Sequence, residues 1–171
     1  MVRKGYERPV LVGGGAVEFH TGSVVVSGDF GFVTEEMQAF GEALAACGFK
    51  REDRPRRLLI GWYHPELAMR VQVVSGDLFD GNSDRRRVQL VDIIDGKAVA
   101  IAPIEDLIAD RLEQHASTET GMPDRLDQAV KLFRLADHPD EAYLDRRIRQ
   151  ESGGTFDLAY LKDRCGDSDH P

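Results

Sequence analysis

The sequence predicts an α/β protein of the α+β type, in which a mixed sheet flanked by helices precedes a C-terminal helical extension. Two observations predict this fold. Residues 1–102 alternate short apolar runs with glycine-rich turns, whereas apolar residues recur at helical spacing from Pro103 onward. We therefore expect an α/β core over 1–102, helices packed on that core over 103–164, and a polar tail over 165–171.

Composition narrows the functional class. The chain has 171 residues and a net charge of −8, which is the wrong sign for a protein that coats DNA without specificity. No stretch approaches the roughly 18 consecutive apolar residues of a membrane span, and the N-terminus lacks the pattern of a signal peptide. Cys47 and Cys165 lie outside any CxxC spacing, which is typical of idle thiols in a reducing cytoplasm. We expect a cytoplasmic protein with no membrane contact.

The first elements alternate strand and helix. Residues 10–12 predict a strand that stops at the glycines 13–15, and residues 16–20 predict a short helix. The β-branched run 23–27 is typical of a second strand.

A longer helix is expected next. Thr34 is placed to cap it, because Glu35 and Glu36 in the first turn suit the helix dipole. Gly48 is a natural end. Its apolar face is Met37, Phe40, Leu44 and Ala45.

Further strands are expected over 57–63 and 69–75. Two more, over 88–94 and 97–102, flank Asp95-Gly96, the strongest hairpin signal in the chain. The polar stretch 77–87, between the expected strands 69–75 and 88–94, predicts a loop.

The second half predicts helices. Pro103 suits the first helical position, and Ile104, Leu107, Ile108 and Leu112 form one apolar stripe behind it. Further helices are expected over 124–136, from about Pro139-Asp140, and over 156–161.

The densest chemical signal is the glycine turn. A strand that runs into Gly13, Gly14 and Gly15 and then a helix can hold phosphate, because backbone N–H groups at the helix start face the anion. Glycine serves any tight turn equally well, so a purely structural role stays open. If the second strand continues, Asp29 and Gly31 share one face of it; an Asp-x-Asp at these positions would hold Mg²⁺ against a triphosphate.

These residues resemble a known family. Gly-Gly-Gly-Ala at 13–16 followed by Ser-Gly-Asp-Phe-Gly at 27–31 is similar to the signature of minimal nucleotidyltransferases, of the abortive-infection toxin type and related uncharacterised bacterial domains. The stretches 98–112 and, more loosely, 124–132 resemble the family's later strand and helices in the right order. The resemblance spans about residues 8–136.

The resemblance implies specific roles. Asp29 would be a catalytic, metal-binding carboxylate, and the nucleotide phosphates would lie against Gly13, Gly14, Gly15 and Ser27. Arg111 would bind phosphate where the family usually has lysine. An active enzyme would use Mg²⁺ and a nucleoside triphosphate.

Two positions depart from the family pattern. Gly31 stands where the second carboxylate is expected, and Gln72 where a third acid would help deprotonate the attacking hydroxyl. Neither residue can bind a metal as a carboxylate or act as a base. A slipped alignment would let Asp77 or Asp92 take their place.

Other polar residues leave alternatives open. Arg111 lies on the apolar stripe of its helix, where it either reaches solvent along its aliphatic stem or offers a cation to an anionic ligand. The basic clusters at 50–57 and 85–87 suit either a solvated surface or a patch for RNA or a protein partner. Trp62 and Tyr63 are expected in the core.

Three hypotheses follow. The favoured one is a nucleotidyltransferase-fold protein with a degenerate site that binds a nucleotide, RNA or a protein partner and transfers little or nothing. The second is an active, toxin-like, Mg²⁺-dependent enzyme that modifies RNA or protein. The third is a small α/β protein of unrelated function.

Overall fold

The structure is a computed structural model that describes residues 1–52, 60–117 and 122–167. The chain divides into two compact units. The first, called the sheet unit, comprises Met1–Glu18 and Val26–Ala102. The second, called the helical unit, comprises Phe19–Val25 and the described residues from Pro103 onward.

The described part of the sheet unit contains a seven-stranded mixed sheet in the order β3-β4-β5-β2-β1-β7-β6. The strands are β1 (Val10–Val12), β2 (Asp29–Val33), β3 (Lys50–Arg51), β4 (Ile60–His64), β5 (Met69–Ser75), β6 (Gln89–Ile94) and β7 (Lys97–Ile101). The pairs β1–β7 and β2–β5 are parallel, and the other four neighbouring pairs are antiparallel.

The helices are α1 (Gly13–His20), α2 (Met37–Ala46), α3 (Ile104–Ala116), α4 (Pro123–Leu135), α5 (Glu141–Glu151) and α6 (Leu158–Asp167). Short 3-10 turns occupy Leu78–Gly81 and Arg85–Arg87 within the expected loop. The Asp95-Gly96 hairpin is confirmed, and both turn residues have the positive φ of 50° and 69° that a tight two-residue hairpin favours.

The core of the sheet unit lies on one face of the central strands. Phe40 and Leu44 of α2 pack with Trp62, Val71 and Val73, and partly buried aromatic residues extend this cluster. Those aromatic residues are Phe30, Phe32 and Phe49. Because side chains alternate along a strand, Asp29 and Gly31 lie on the opposite face from Phe30 and Phe32, as the sequence predicts.

The strand expected over 23–27 is wrong: these residues form turns and bends, and β2 begins at Asp29. The apolar run has no partner strand among the described residues, and Val24 and Val26 are 66% and 79% exposed. Two of its backbone donors are bound by side chains. Val25 N–H donates to Thr21 Oγ1 at 3.2 Å, and Ser27 N–H donates to a Glu18 carboxylate oxygen at 2.7 Å.

Several helix ends differ from expectation. The helix α1 begins at Gly13 rather than after the glycines, and α2 begins at Met37, later than Glu35. Thr34 Oγ1 still accepts from Glu36 N–H at 3.1 Å, but Glu36 is the N-cap residue of α2, so this bond lies just outside the helix. Pro103 is the N-cap residue of α3 rather than its first helical residue.

Candidate functional site

Gly13, Gly14 and Gly15, called the glycine corner, join β1 directly to α1. Gly13 has a φ of +62°, in the left-handed region that favours glycine. At Gly14 a Cβ atom would lie 2.4 Å from Ser27 Oγ and 3.1 Å from Ser27 Cβ. Ser27 therefore packs against the start of α1 only because residue 14 has no side chain. The structure brings together these residues of the predicted site.

Gly15 has a packing role of its own. A Cβ atom there would lie 2.7 Å from Phe30 Cδ1 and 3.3 Å from Leu11 Cδ1. The helix can thus approach the sheet closely because residue 15 is glycine. These packing roles account for Gly14 and Gly15 without a ligand, so phosphate binding at the corner stays a prediction.

The Ser27 hydroxyl fixes the turn that leads into β2. It donates to the Asp29 carbonyl oxygen at 2.9 Å and accepts from Asp29 N–H at 3.4 Å. Glu18, on α1, holds the same turn through Ser27 N–H. Glu18 was missed in the sequence because no local spacing connects it with residue 27.

The strand register places both departures from the family pattern side by side. In the parallel pair β2–β5, Gly31 is the partner of Gln72, and Asp29 is the partner of Arg70. Partners on neighbouring strands point to the same face of a sheet, so Asp29, Gly31 and Gln72 share one face. Two of these three positions carry neutral residues, and whether the three form a catalytic site stays a prediction.

Position 31 offers little room for a larger residue. A Cβ atom there would lie 3.3 Å from Val74 Cγ1, and 3.6 Å from both Cγ2 and the carbonyl oxygen of Val12. An aspartate at this position would require Val74 to move by a few tenths of an ångström. Val74 and Val12 therefore close around the glycine at position 31.

Asp29 lines a cleft of about 850 Å³ within the sheet unit. Its lining residues are Gly28, Asp29, Glu52, Tyr63, His64, Pro65, Ala68, Met69 and Arg70. Arg70 Nε lies 3.5 Å from a Glu52 carboxylate oxygen, and the Arg70 side chain is half exposed while that of Glu52 is mostly buried. The cleft therefore combines carboxylates and a guanidinium with an aromatic ring.

The two aromatic residues of β4 have different environments. Trp62 is buried in the core, as expected, whereas Tyr63 is 38% exposed and lines the cleft. The expectation that both are core residues is wrong for Tyr63, because side chains of a strand alternate between its faces.

His64 shapes the edge of the cleft. Its Nδ1 atom accepts from the backbone N–H groups of Glu66 and Leu67, both at 3.2 Å. The imidazole ring packs edge-on against Phe49, and its Nε2 would lie 2.8 Å from a Cβ atom at Gly48. This histidine therefore holds the turn between β4 and β5.

The donor set does not fit a two-metal Mg²⁺ site. Such a site needs several carboxylate oxygens close together, and the described ranges contain no group of three or more His, Cys, Asp or Glu residues that could hold a metal ion. Asp92 lies on β6, three strands from β2 and thus about 14 Å away at ~4.8 Å per strand. Asp77 follows Ser75, which pairs with Val33 at the opposite end of β2 from Asp29.

Arg111 is buried within the helical unit, so of its two alternatives the one in which the side chain reaches solvent is wrong, and phosphate binding stays a prediction. Its Nε donates to an Asp110 carboxylate oxygen at 3.1 Å, and its NH1 group donates to Gln128 Oε1 at 3.4 Å. The guanidinium thus already has an anionic partner. A phosphate ligand would have to compete with Asp110.

A second buried charge network was missed in the sequence. Asp106, fully buried, accepts hydrogen bonds from Tyr143 Oη at 2.8 Å and Arg147 Nε at 2.5 Å. Arg147 is also fully buried and pairs with Glu151, four residues later on α5. Burial disfavours the charge of Arg147, but the hydrogen bonds and charges of Asp106 and Glu151 outweigh it and raise the pKa of Arg147. The i,i+4 spacing of Arg147 and Glu151 was the available signal.

The basic clusters are partly neutralised. Arg85 NH1 lies 2.9 Å from a Glu7 carboxylate oxygen, and Arg86 Nε lies 3.0 Å from Asp84. The hydrogen bonds from Arg86 hold the pKa of Asp84 below its usual value. Lys50 and Arg51 form the short edge strand β3, and residues 54, 56 and 57 of that cluster lie outside the described residues.

The fold is also found in a solved structure. An antigenic nucleotidyltransferase-like protein from Paracoccidioides brasiliensis superposes with a TM-score of 0.63 over 93% of this chain and 81% of that chain, at 12% sequence identity. The chain thus has a nucleotidyltransferase-like fold. No family model and no curated protein matches the sequence. None of the helices in the described ranges has the length and apolar content to cross a membrane.

Proposed function

We propose that this chain is a nucleotidyltransferase-fold protein, related to the abortive-infection toxin type, that binds a nucleotide or a partner molecule and transfers little or nothing. The observation that carries the proposal is the β2–β5 register, which sets Gly31 beside Gln72 on the face that holds Asp29. A two-metal centre stabilises both the attacking and the leaving oxygens. With two neutral residues in these places, that stabilisation is missing.

The cleft around Asp29 remains suited to ligand binding. Its volume of about 850 Å³ lies within the range of small-molecule sites, roughly 300–1,000 Å³. Tyr63 offers a ring for stacking, and Arg70 offers N–H donors to an anionic or carbonyl group. We propose this cleft, with the glycine corner beside Ser27, as the binding site.

The first experiment measures transfer directly. Purified protein is incubated with Mg²⁺, each labelled nucleoside triphosphate, and RNA or protein acceptors. We expect no labelled product above background. A product that forms with the native chain and disappears in Asp29→Ala would overturn the proposal.

The second experiment restores the acids. Gly31→Asp is combined with Gln72→Glu, and with Val74→Ala to remove the 3.3 Å contact that a side chain at position 31 would make. If the missing carboxylates limit the chain, the triple variant should gain Mg²⁺-dependent transfer that Asp29→Ala removes again. Val74→Ala alone is the matched control and should remain inactive.

An active enzyme is the second candidate, and one observation favours it: Glu52 lines the same cleft as Asp29, so two carboxylates are present there. In that case Glu52→Gln and Asp29→Asn should each abolish Mg²⁺-dependent transfer. A thermal shift with one triphosphate that requires Mg²⁺ would favour this candidate. Absence of a shift with all four triphosphates would argue against it and leave a protein or RNA partner as the ligand.

A further inference from the structure

A groove of about 440 Å³ lies between α2 and the strands β3 and β4 of the sheet unit. The helix lines it with Met37, Gly41 and Ala45, at four-residue spacing, and the sheet side lines it with Phe49, Arg51 and Trp62. Tyr63 lines the Asp29 cleft, and neighbouring residues of a strand point to opposite faces. The groove and the Asp29 cleft therefore lie on opposite faces of the sheet.

The indole of Trp62 has a hydrogen-bond donor without an acceptor. The residue is only 6% exposed, yet its Nε1–H group makes no hydrogen bond to the described residues. Among these residues, Arg125 Nε is the side-chain polar atom that is both fully buried and unpartnered. The Nε1 atom of Trp62 therefore keeps access to the groove that this residue lines.

Gly41 uncovers this edge of the indole. A Cβ atom at position 41 would lie 3.1 Å from Trp62 Cζ2 and 3.8 Å from Trp62 Nε1. Because glycine has no side chain, the space beside the N–H group stays open. A donor in a largely apolar groove gains most from a ligand that brings an acceptor with it.

Arg51 places a positive charge beside this donor. Arg51 and Trp62 are partners in the antiparallel pair β3–β4, so their side chains share a face, with Cβ atoms about 4.5–5.5 Å apart. Arg51 makes no ion pair with the described residues. Glu42 also lines the groove, but its carboxylate already accepts from Gln38 Nε2 at 3.1 Å. The negative end of a ligand would therefore lie beside Arg51 and Trp62.

We propose that this groove binds a small aromatic carboxylate. The ring would lie against Phe49 and Trp62, with the Met37 thioether at its edge. The carboxylate would accept from Trp62 Nε1–H and from the Arg51 guanidinium. The volume of the groove lies in the lower part of the range for small-molecule sites, roughly 300–1,000 Å³, which suits a compact ligand. This binding does not depend on nucleotide binding or transfer at the Asp29 cleft.

The first experiment uses the indole N–H group as the reporter. Trp62 is the one tryptophan of the chain, so it gives a single indole cross-peak in a proton–nitrogen correlation spectrum. The native chain is titrated with cinnamate from about 10 μM to 10 mM, which brackets a Kd on the order of 0.1–1 mM for a ligand of this size. We expect this cross-peak to move and to saturate. A cross-peak that does not move at the highest concentration would overturn the proposal.

The second experiment tests the charge of the ligand and of its partner. Cinnamamide has the same ring and nearly the same size but no charge, and it should bind about tenfold more weakly than cinnamate. Arg51→Met keeps an unbranched apolar side chain and removes the cation, so the Kd for cinnamate should rise about tenfold. Lys50→Met, the neighbouring cation on the other face of β3, is the control and should bind cinnamate as the native chain does. Equal affinities of cinnamate and cinnamamide, or equal losses in Arg51→Met and Lys50→Met, would overturn the assignment to a carboxylate.

The third experiment locates the ligand with two neighbouring alanines of α2. Both are exposed, but Ala45 lines the groove and Ala46 does not. Ala45→Leu fills the groove and should raise the Kd for cinnamate more than tenfold, whereas Ala46→Leu should leave it unchanged. Asp29→Asn should also leave it unchanged. A loss of affinity in Asp29→Asn as large as that in Ala45→Leu would assign the ligand to the Asp29 cleft and overturn the proposal.

Discussion

Asp29 of the sheet unit and Asp106 of the helical unit lie in opposite environments. Asp29 lies exposed at the start of β2, beside the neutral residues Gly31 and Gln72. In the helical unit, Asp106 and Arg147 are fully buried and bind each other. Although the chain carries 30 acidic residues, the face that would need several carboxylates for catalysis has few. Asp106, near the start of α3, therefore has a packing role that the local sequence did not reveal.

The helical unit gives the largest expected effect. Asp106→Asn keeps the size of the side chain but removes the charge that neutralises Arg147. We expect a loss of about 3–5 kcal/mol in the free energy of unfolding, measured by urea denaturation, because a buried cation loses one of its two anionic partners. Asp124→Asn, whose side chain is 67% exposed, is the matched control and should stay close to the native chain.

A double variant sharpens this result. Replacing the pair by apolar residues, as Asp106→Leu with Arg147→Met, should recover part of the loss, because neither charge then remains buried alone. If Asp106→Asn and the native chain unfold at the same urea midpoint, the buried ion pair does not stabilise the fold. The contrast between the two units then fails.

The sequence predicted elements with strong local signals. Continuous apolar runs predicted β1 and β5, and these strands are present. The turn residues Asp95 and Gly96 predicted the β6–β7 hairpin, which is also present. The β-branched run 23–27 failed because strand propensity depends on a partner strand. There the backbone donors of Val25 and Ser27 are bound by Thr21 and Glu18 instead.

The candidate site was predictable only in part. Strand periodicity placed Asp29 and Gly31 on one face, and the register adds Gln72 to that face, while the catalytic roles of these positions stay a prediction. The contribution of Arg70, Glu52 and Tyr63 to the cleft required the strand register, since β5 pairs parallel with β2 and antiparallel with β4. Register between distant strands is a long-range property that no local spacing encodes.

A substitution in the glycine corner of the sheet unit should cause the next largest loss in the free energy of unfolding. Gly14→Ala should destabilise the chain by about 1–3 kcal/mol, because its Cβ would overlap Ser27 Oγ and force the turn before β2 to move. Adding Ser27→Gly removes both close contacts and should restore most of the stability. Gly28→Ala is the control, since no atom lies within 4 Å of a Cβ there. Failure of the double variant to recover would show that the glycine is needed for another reason.

The N-terminal caps of one helix in each unit differ, and we expect a smaller difference in stability from them. Asp140 caps α5 by accepting from Tyr143 N–H at 3.0 Å, whereas Glu36 at the start of α2 makes no side-chain capping bond. Asp140→Ala should therefore cost about 1 kcal/mol of unfolding free energy, and Glu36→Ala should cost a few tenths at most. Urea denaturation of both variants checks the difference. Equal losses would contradict the capping assignment.

The smallest effect depends on pH. Burial raises the pKa of Glu113, and the charges of Asp110 and Glu151 raise it further, while Arg111 opposes them. The folded chain therefore binds this proton more tightly than the unfolded chain, whose glutamate has a pKa of about 4.3. The stabilisation is complete below that value and is lost as the pH rises through the raised folded pKa.

Glu113→Gln removes the ionisation and leaves the size of the side chain unchanged. We expect the Tm of the variant to exceed that of the native chain at pH 7.5 and to approach it at pH 4, because the native side chain is then protonated and neutral as well. Glu66→Gln, at an exposed position of the sheet unit, is the control and should show no such pH-dependent gap. A gap for Glu113→Gln of equal size at both pH values would assign its effect to packing rather than to titration. In that case charge burial in the helical unit would be confined to the residues that have direct ionic partners.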